Sequence, residues 1–136
     1  MGLPKFQYVA PRKLAKAISL QKESGKFLAG GTDLLVAMKQ KISRPELLID
    51  LNKISELKGI EWDKKKRLRV GALTTLTQLK ENPIVQKHFP VLSQAVPLVS
   101  TPLLQNRGTV GGNLCLDTRC YYYNQSFFLE EMGAML

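Results

Sequence analysis

Phe27-Leu28-Ala29-Gly30-Gly31-Thr32-Asp33-Leu34-Leu35 decides the reading of this chain, together with its counterpart Gly108-Thr109-Val110-Gly111-Gly112-Asn113-Leu114-Cys115. Each stretch sets a glycine pair among small polar residues. Glycine lets a backbone approach a ligand closely and reaches dihedrals that other residues avoid. Consecutive amides in such a loop can converge on one anion. The pairs lie about eighty residues apart. Two such loops fit an extended anionic ligand gripped from two sides, such as a dinucleotide.

Outward from the first pair, the elements alternate. Phe6-Gln7-Tyr8-Val9 reads as a strand ended by Ala10-Pro11. Leu14, Ala17, Ile18 and Gln21 follow helical spacing, and Ser24-Gly25 stops that helix. Lys26 to Ala29 is a short strand running into the glycines, and Asp33 is placed to cap a helix from Leu34 to Lys39. Leu47 to Leu51 is an apolar strand bounded by Pro45 and Asn52. The order β-α-β-α-β with short connectors predicts parallel pairing. The first glycine pair then falls where open α/β sheets bind ligands, at the carboxyl end of a strand. The start of the following helix adds partial positive charge.

Beyond Asn52 the pattern changes. Gly59 to Trp62 and Arg67 to Gly71 alternate around Asp63-Lys64-Lys65-Lys66-Arg67, which predicts an antiparallel hairpin with a charged tip. Thr74 or Thr75 caps a helix through Leu76 and Leu79, and Pro83 opens another as far as Phe89. A third begins at Val91, with Leu92, Ala95, Val96 and Val99 on one face and Pro97 bending or shortening it. Leu103 to Asp117 shows no period and reads as a long irregular segment, usually a functional one. The second glycine pair reads as a loop with no helix after it.

With 136 residues, one compact domain is the default. The net charge of +9 suits nucleic acid, a phosphate-rich cofactor or an acidic partner alike, and much of it sits in the hairpin tip. No nucleic-acid module accompanies it. No apolar run approaches the roughly 20 residues of a membrane helix, and the first residues lack a signal-peptide core. Cytoplasm is the expected compartment.

Reactive groups are sparse. Cys115 and Cys120 are too few for a disulfide scaffold or a complete metal site and read as thiols. His88 falls at a helix end with no partners for a triad. The first glycine pair is neither a Rossmann fingerprint, lacking the third glycine, nor a P-loop, lacking Gly-Lys-Ser/Thr. Taken alone it reads as a turn or as a ligand loop. No residue stands out as catalytic, so chemistry would have to come from a cofactor.

Phe27–Leu35 (FLAGGTDLL) and Asn106–Leu114 (NRGTVGGNL) resemble the two flavin-binding motifs of the molybdenum-hydroxylase flavoproteins. These are the FAD subunits or domains of xanthine dehydrogenase, carbon monoxide dehydrogenase and their relatives. Gly71-Ala72-Leu73-Thr74-Thr75-Leu76 is similar to that family's middle segment, and the likeness runs from about Phe6 to Asn124. It implies an α+β fold of the PCMH/vanillyl-alcohol-oxidase FAD-binding type. A small βαβ N-terminal subdomain would span 1–52, with part of a second, mixed α/β subdomain over 53–136.

By the same resemblance, the amides of Ala29, Gly30, Gly31, Thr32 and Asp33 hold the FAD pyrophosphate, flanked by Leu34, Leu35 and Val36. Thr101 and the run Thr109, Val110, Gly111, Gly112, Asn113 and Leu114 line the flavin. Asp117 and Tyr123 sit near the ribityl chain or ring, although by themselves they read as a turn carboxylate and a core aromatic.

Cys115 to Gln125 is similar to the 4-hydroxybenzoyl-CoA reductase β-subunit branch, which carries a [4Fe-4S] cluster on four cysteines. That implies Cys120 as the first cluster ligand and Cys115 as a flavin-loop residue, with the cluster itself only in a full-length parent. The other three cysteines are absent, and the chain reads as an N-terminal fragment.

The function expected from the resemblance is an FAD-binding electron-transfer subunit. It would work with a molybdenum-cofactor subunit, a [2Fe-2S] subunit and a ferredoxin donor, in the reductive dehydroxylation of 4-hydroxybenzoyl-CoA to benzoyl-CoA. The isolated fragment would be inactive. The alternative is a folded remnant without cofactor, acting only in subunit assembly. An incomplete sheet in the second subdomain predicts an open edge and self-association. Neither nucleic acid nor membrane is an expected partner.

Overall fold

A near-continuous apolar run such as Leu47-Leu48-Ile49 is the pattern of a strand covered on both faces, which belongs in the middle of a parallel sheet. The computed structural model, which describes residues 2–21, 24–63, 65 and 67–116, places it there. Strands β1 (Gln7–Val9), β2 (Gly25–Leu28) and β3 (Leu47–Asp50) form a sheet in the order β1-β3-β2. Both pairings are parallel, with Val9 and Phe27 each opposite Ile49. Helix α1 (Leu14–Leu20) connects the two outer strands, and α2 (Leu34–Lys39) leads from β2 to β3.

Successive strand residues point to opposite faces. Leu48 and Ile49 are both buried, so the sheet is covered on each side. On one side Ala17 of α1, Ile49 and Ile54 form a fully buried cluster, with Val9, Leu14, Leu20, Leu47, Leu51 and Leu57 packed around it. The predicted β-α-β-α-β order and parallel pairing hold.

A single 3-10 turn, Ser55–Leu57, leads to the antiparallel hairpin β4 (Ile60–Trp62) and β5 (Leu68–Val70). Its tip is organised by Asp63, whose carboxylate accepts from the Lys65 and Arg67 N–H groups and pairs with Arg67 Nε at 2.7 Å. Lys65 and Arg67 are therefore both held on one acidic turn residue. Helix α3 (Leu76–Glu81) opens with a full capping box between Thr75 and Gln78, and α4 (Pro83–His88) is capped by Asn82. Leu76, Leu79, Val85 and Val96 form a second core cluster, against which Ile60, Leu68, Val70, Phe89 and Val110 pack. His88 stacks on Trp62 at 4.8 Å between ring centroids, a packing role at the surface of the hairpin.

Two stretches differ from the sequence reading. The helix expected from Val91 is shortened at Pro97, as its ring requires, but its apolar face is not buried as expected: α5 covers Pro90–Ala95 and gives way to a 3-10 turn, Val96–Leu98. Pro97 brings no N–H and tightens the turn, so of the anticipated apolar face only Val96 is buried, and Leu98 is 87% exposed. The segment expected to be irregular contains α6 (Pro102–Gln105) and α7 (Val110–Leu114). Both are too short to show a helical period. Pro102 sits at the first position of α6, where a missing N–H costs nothing. The second glycine pair lies inside α7, whose start is secured by the Thr109 hydroxyl accepting from the Gly112 N–H.

Among the described residues, no helix is long and apolar enough to cross a membrane. Truncating Ile49 to alanine should lower unfolding free energy by about 2–5 kcal/mol, read by urea denaturation. Thr75→Ala should lower it by about 1 kcal/mol through the lost cap.

Candidate functional site

The two glycine segments, remote in sequence, meet. A β-carbon on Gly30 would overlap the Arg107 carbonyl, which is one residue before Gly108. Only glycine permits that contact, so the pair is joined backbone to backbone. Gly31 has φ +75, a left-handed conformation that turns the chain from β2 into α2.

The second segment is in turn laced to residues 72–76. Gly111 N–H donates to Ala72 O at 2.8 Å, Val110 N–H to Thr74 O at 2.8 Å, and Leu76 N–H to Gly108 O at 2.9 Å. Thr75 and Thr109 form an isolated antiparallel bridge. A β-carbon on Gly111 would lie 2.7 Å from Ala72 Cβ, so this glycine also serves close backbone packing.

Between the segments lies a cleft of about 540 Å³. Its first wall is Ala29, Gly30, Gly31, Thr32, Asp33 and Leu34; the second is Thr109, Gly112, Asn113, Cys115 and Leu116. Among the described residues, the N–H groups of Gly30, Gly31 and Thr32 take no part in the backbone hydrogen-bond network. Three unspent donors in successive residues on a cleft wall form a cradle for an anion. Helix α2 is only six residues long, so the loop amides outweigh its dipole here. Asp33 occupies the N-cap position with helical dihedrals, φ −109 and ψ −57, instead of the extended ones of an ordinary cap.

Sequence reasoning missed the third side. Lys26 on β2, and Ser43, Arg44 and Pro45 from the turn after α2, also line the cleft. The turn starts at Lys41, whose φ is +64, and Arg44 Nε donates back to the Lys41 carbonyl at 3.2 Å. Lys26 and Arg44 bring two cations to a wall whose acidic residue is Asp33. No motif marked them, because only the return of the chain after α2 to the start of β2, where Glu46 N–H donates to Ser24 O, makes them neighbours.

The remaining candidates lie elsewhere. Leu35 is half-buried, and Val36 and Leu114 are exposed; none is on the cleft wall. Val110 packs on the second core cluster, and the N–H groups of Val110 and Gly111 are already spent. Thr101 precedes α6, exposed and away from the wall. Asp117, Cys120 and Tyr123 lie outside the described residues. Cys115 is an exposed free thiol. Among the described residues, no three His, Cys, Asp or Glu side chains gather as a metal site.

Behind the first wall runs a polar chain. Tyr8 Oη donates to one Asp50 oxygen. The other accepts from the Asn52 backbone N–H at 2.9 Å and from Asn52 Nδ2 at 2.6 Å. Asn52 Nδ2 also donates to the Ala29 carbonyl at 2.9 Å. Burial pushes the Asp50 carboxyl up, but the hydrogen bonds from Tyr8 and Asn52 and the nearby Lys53 charge outweigh it and hold it below the usual carboxylate range.

The chain that forms this cleft is similar to known proteins. Residues 4–124 match the family described as the FAD binding domain in molybdopterin dehydrogenase. The chain is 41% identical over 114 residues to the carbon monoxide dehydrogenase medium chain of Hydrogenophaga pseudoflava, covering 82% of this chain and 39% of that one. It is 39% identical over 104 residues to a xanthine dehydrogenase FAD-binding subunit of Escherichia coli, covering 75% and 36%. A solved structure of quinoline 2-oxidoreductase from Pseudomonas putida 86 superposes with a TM-score of 0.79 at 34% identity, covering 84% of this chain and 40% of that chain. The chain thus spans about two fifths of the length of the relatives it matches.

Gly30→Ala should force the two loops apart and cost about 1–3 kcal/mol, measured by denaturant unfolding. Because the Asp50 pKa is depressed in the fold, its contribution is complete above the unfolded value of about 3.9 and fades as pH falls through the lower folded value. Asp50→Asn should therefore melt below the wild type at neutral pH, with the gap closing under acid conditions in a melting series.

Proposed function

The chain belongs to the family of FAD-binding domains in molybdopterin dehydrogenases, and from that premise we propose that it holds FAD across the cleft between its two glycine loops, as the flavin-carrying part of a molybdenum-containing oxidoreductase. The observation that carries the reading is the convergence of Gly30-Gly31 and Thr109-Gly112 on one cleft. The donor set fits the cofactor's charge: unspent amides at Gly30, Gly31 and Thr32 for the pyrophosphate, with Lys26 and Arg44 alongside. Ala29, Asp33 and Leu34 complete that wall, with Leu35 and Val36 following on the helix. Thr109, Gly112 and Asn113 face it, and the Val110 and Gly111 N–H groups tie the same segment to residues 72–74.

Bound FAD supplies a two-electron redox group; the chain's own part is to hold and orient it. The 52/53 division belongs to the same reading and draws on the separate sheets of the two halves, although Ile54 and Leu57 from beyond it pack into the first core cluster. The working complex would add a molybdenum subunit and an iron–sulfur subunit in the cytoplasm. Its finest form, a 4-hydroxybenzoyl-CoA reductase β subunit with Cys120 as a cluster ligand, rests on the resemblance of Cys115 to Gln125 alone. A second reading, a cofactor-free part acting in subunit assembly, draws on one fact: the Val110 and Gly111 amides are already engaged within the chain.

Titrating the chain with FAD, followed by flavin fluorescence, separates the two. Saturable binding is the expected result, and its absence overturns the flavin reading in favour of the assembly role. Replacing Lys26 and Arg44 together by alanine should weaken binding about tenfold and flatten its dependence on salt.

A further inference from the structure

The polar chain behind the first wall has a direction. The two amide hydrogens of Asn52 Nδ2 are both spent, one on Asp50 and one on the Ala29 carbonyl. The reversed amide would set its oxygen against two acceptors, so the Asn52 orientation is fixed by its partners. Asp50 is held in turn, with one oxygen on Tyr8 and the other on Asn52. Asn52 is half-buried and lies off the cleft wall, whereas Ala29 and Gly30 are on it. In a trans peptide the carbonyl and the following N–H point opposite ways. The Ala29 carbonyl points to Asn52, so the Gly30 N–H points away from it.

We infer that Asn52 is the positioning residue of the diphosphate cradle: by holding the Ala29 carbonyl outward, it presents the Gly30 N–H to the cleft. The inference rests on the flavin reading above and deepens it. Asn52 touches no ligand; it acts through one peptide plane. Glycine at position 30 makes such a brace useful, because glycine peptides rotate with little steric hindrance. The strand β3 that carries Asp50 thereby sets the geometry of a loop that follows β2.

The test uses ADP, FAD and riboflavin as probes on the wild-type chain and on Asn52→Ala and Asn52→Leu. Both variants lose the donor, and Leu keeps most of the volume. The expected result is that ADP and FAD bind about five- to tenfold more weakly to both variants, while riboflavin, which has no phosphate, is unaffected. In the wild type, the Gly30 amide resonance should move strongly when ADP is added, a readout that does not depend on any variant folding.

Unchanged ADP affinity in both variants, a loss in Ala but not Leu, an equal loss for riboflavin, or a Gly30 amide unmoved by bound ADP each overturns the inference while leaving the flavin reading standing. A wild-type chain that binds neither FAD nor ADP overturns both.

Discussion

The contact between Gly30 and the Arg107 carbonyl is the constraint on which the site depends. A side chain of any size at position 30 would hold the two halves apart. Without one, the loop after β2 and the segment before α7 touch through their backbones. The cleft lies beside this contact, with Gly30 on its wall. The contact has a second support, since residues 108–111 are bonded to 72–76 and through Leu76 to the second core. Each core thus anchors one wall, and the glycine contact sets the distance between the walls.

The glycines therefore do more than leave room for a ligand. Gly31 supplies a left-handed turn, whereas Gly30 and Gly111 supply close approaches to Arg107 and Ala72. Gly112, the third residue of α7, donates its N–H to the Thr109 hydroxyl that caps the helix. Of the first segment's donors, those of Gly30, Gly31 and Thr32 stay outside the backbone network among the described residues. The two loops are alike in sequence and unlike in duty: one offers its amides, and the other spends them on holding itself in place.

Charge follows the same division. The basic hairpin tip is organised around Asp63 and lies on a different element from the cleft. Two other cations, Lys26 and Arg44, reach the cleft itself. Net charge alone could not distinguish these locations, because a charge run and a pair of separated cations add to the same sum.

Local chemistry determined much of this protein. Apolar period, proline and glycine placement, and a threonine cap at 74 or 75 specified β1 to β5, α1 to α4 and the parallel pairing of the first fifty residues, because each signal acts within a few residues. The two glycine motifs likewise named the family before any geometry. Short helices escaped notice: α6 and α7 are four and five residues long, below one full period pattern, and their caps matter more than their faces. Only the tertiary structure decided that β3 lies between β1 and β2, that Asn52 reaches Ala29, and that Lys26 and Arg44 join one wall. Those facts depend on contacts between residues far apart in the chain, and no local pattern records which distant backbone will arrive beside a given glycine.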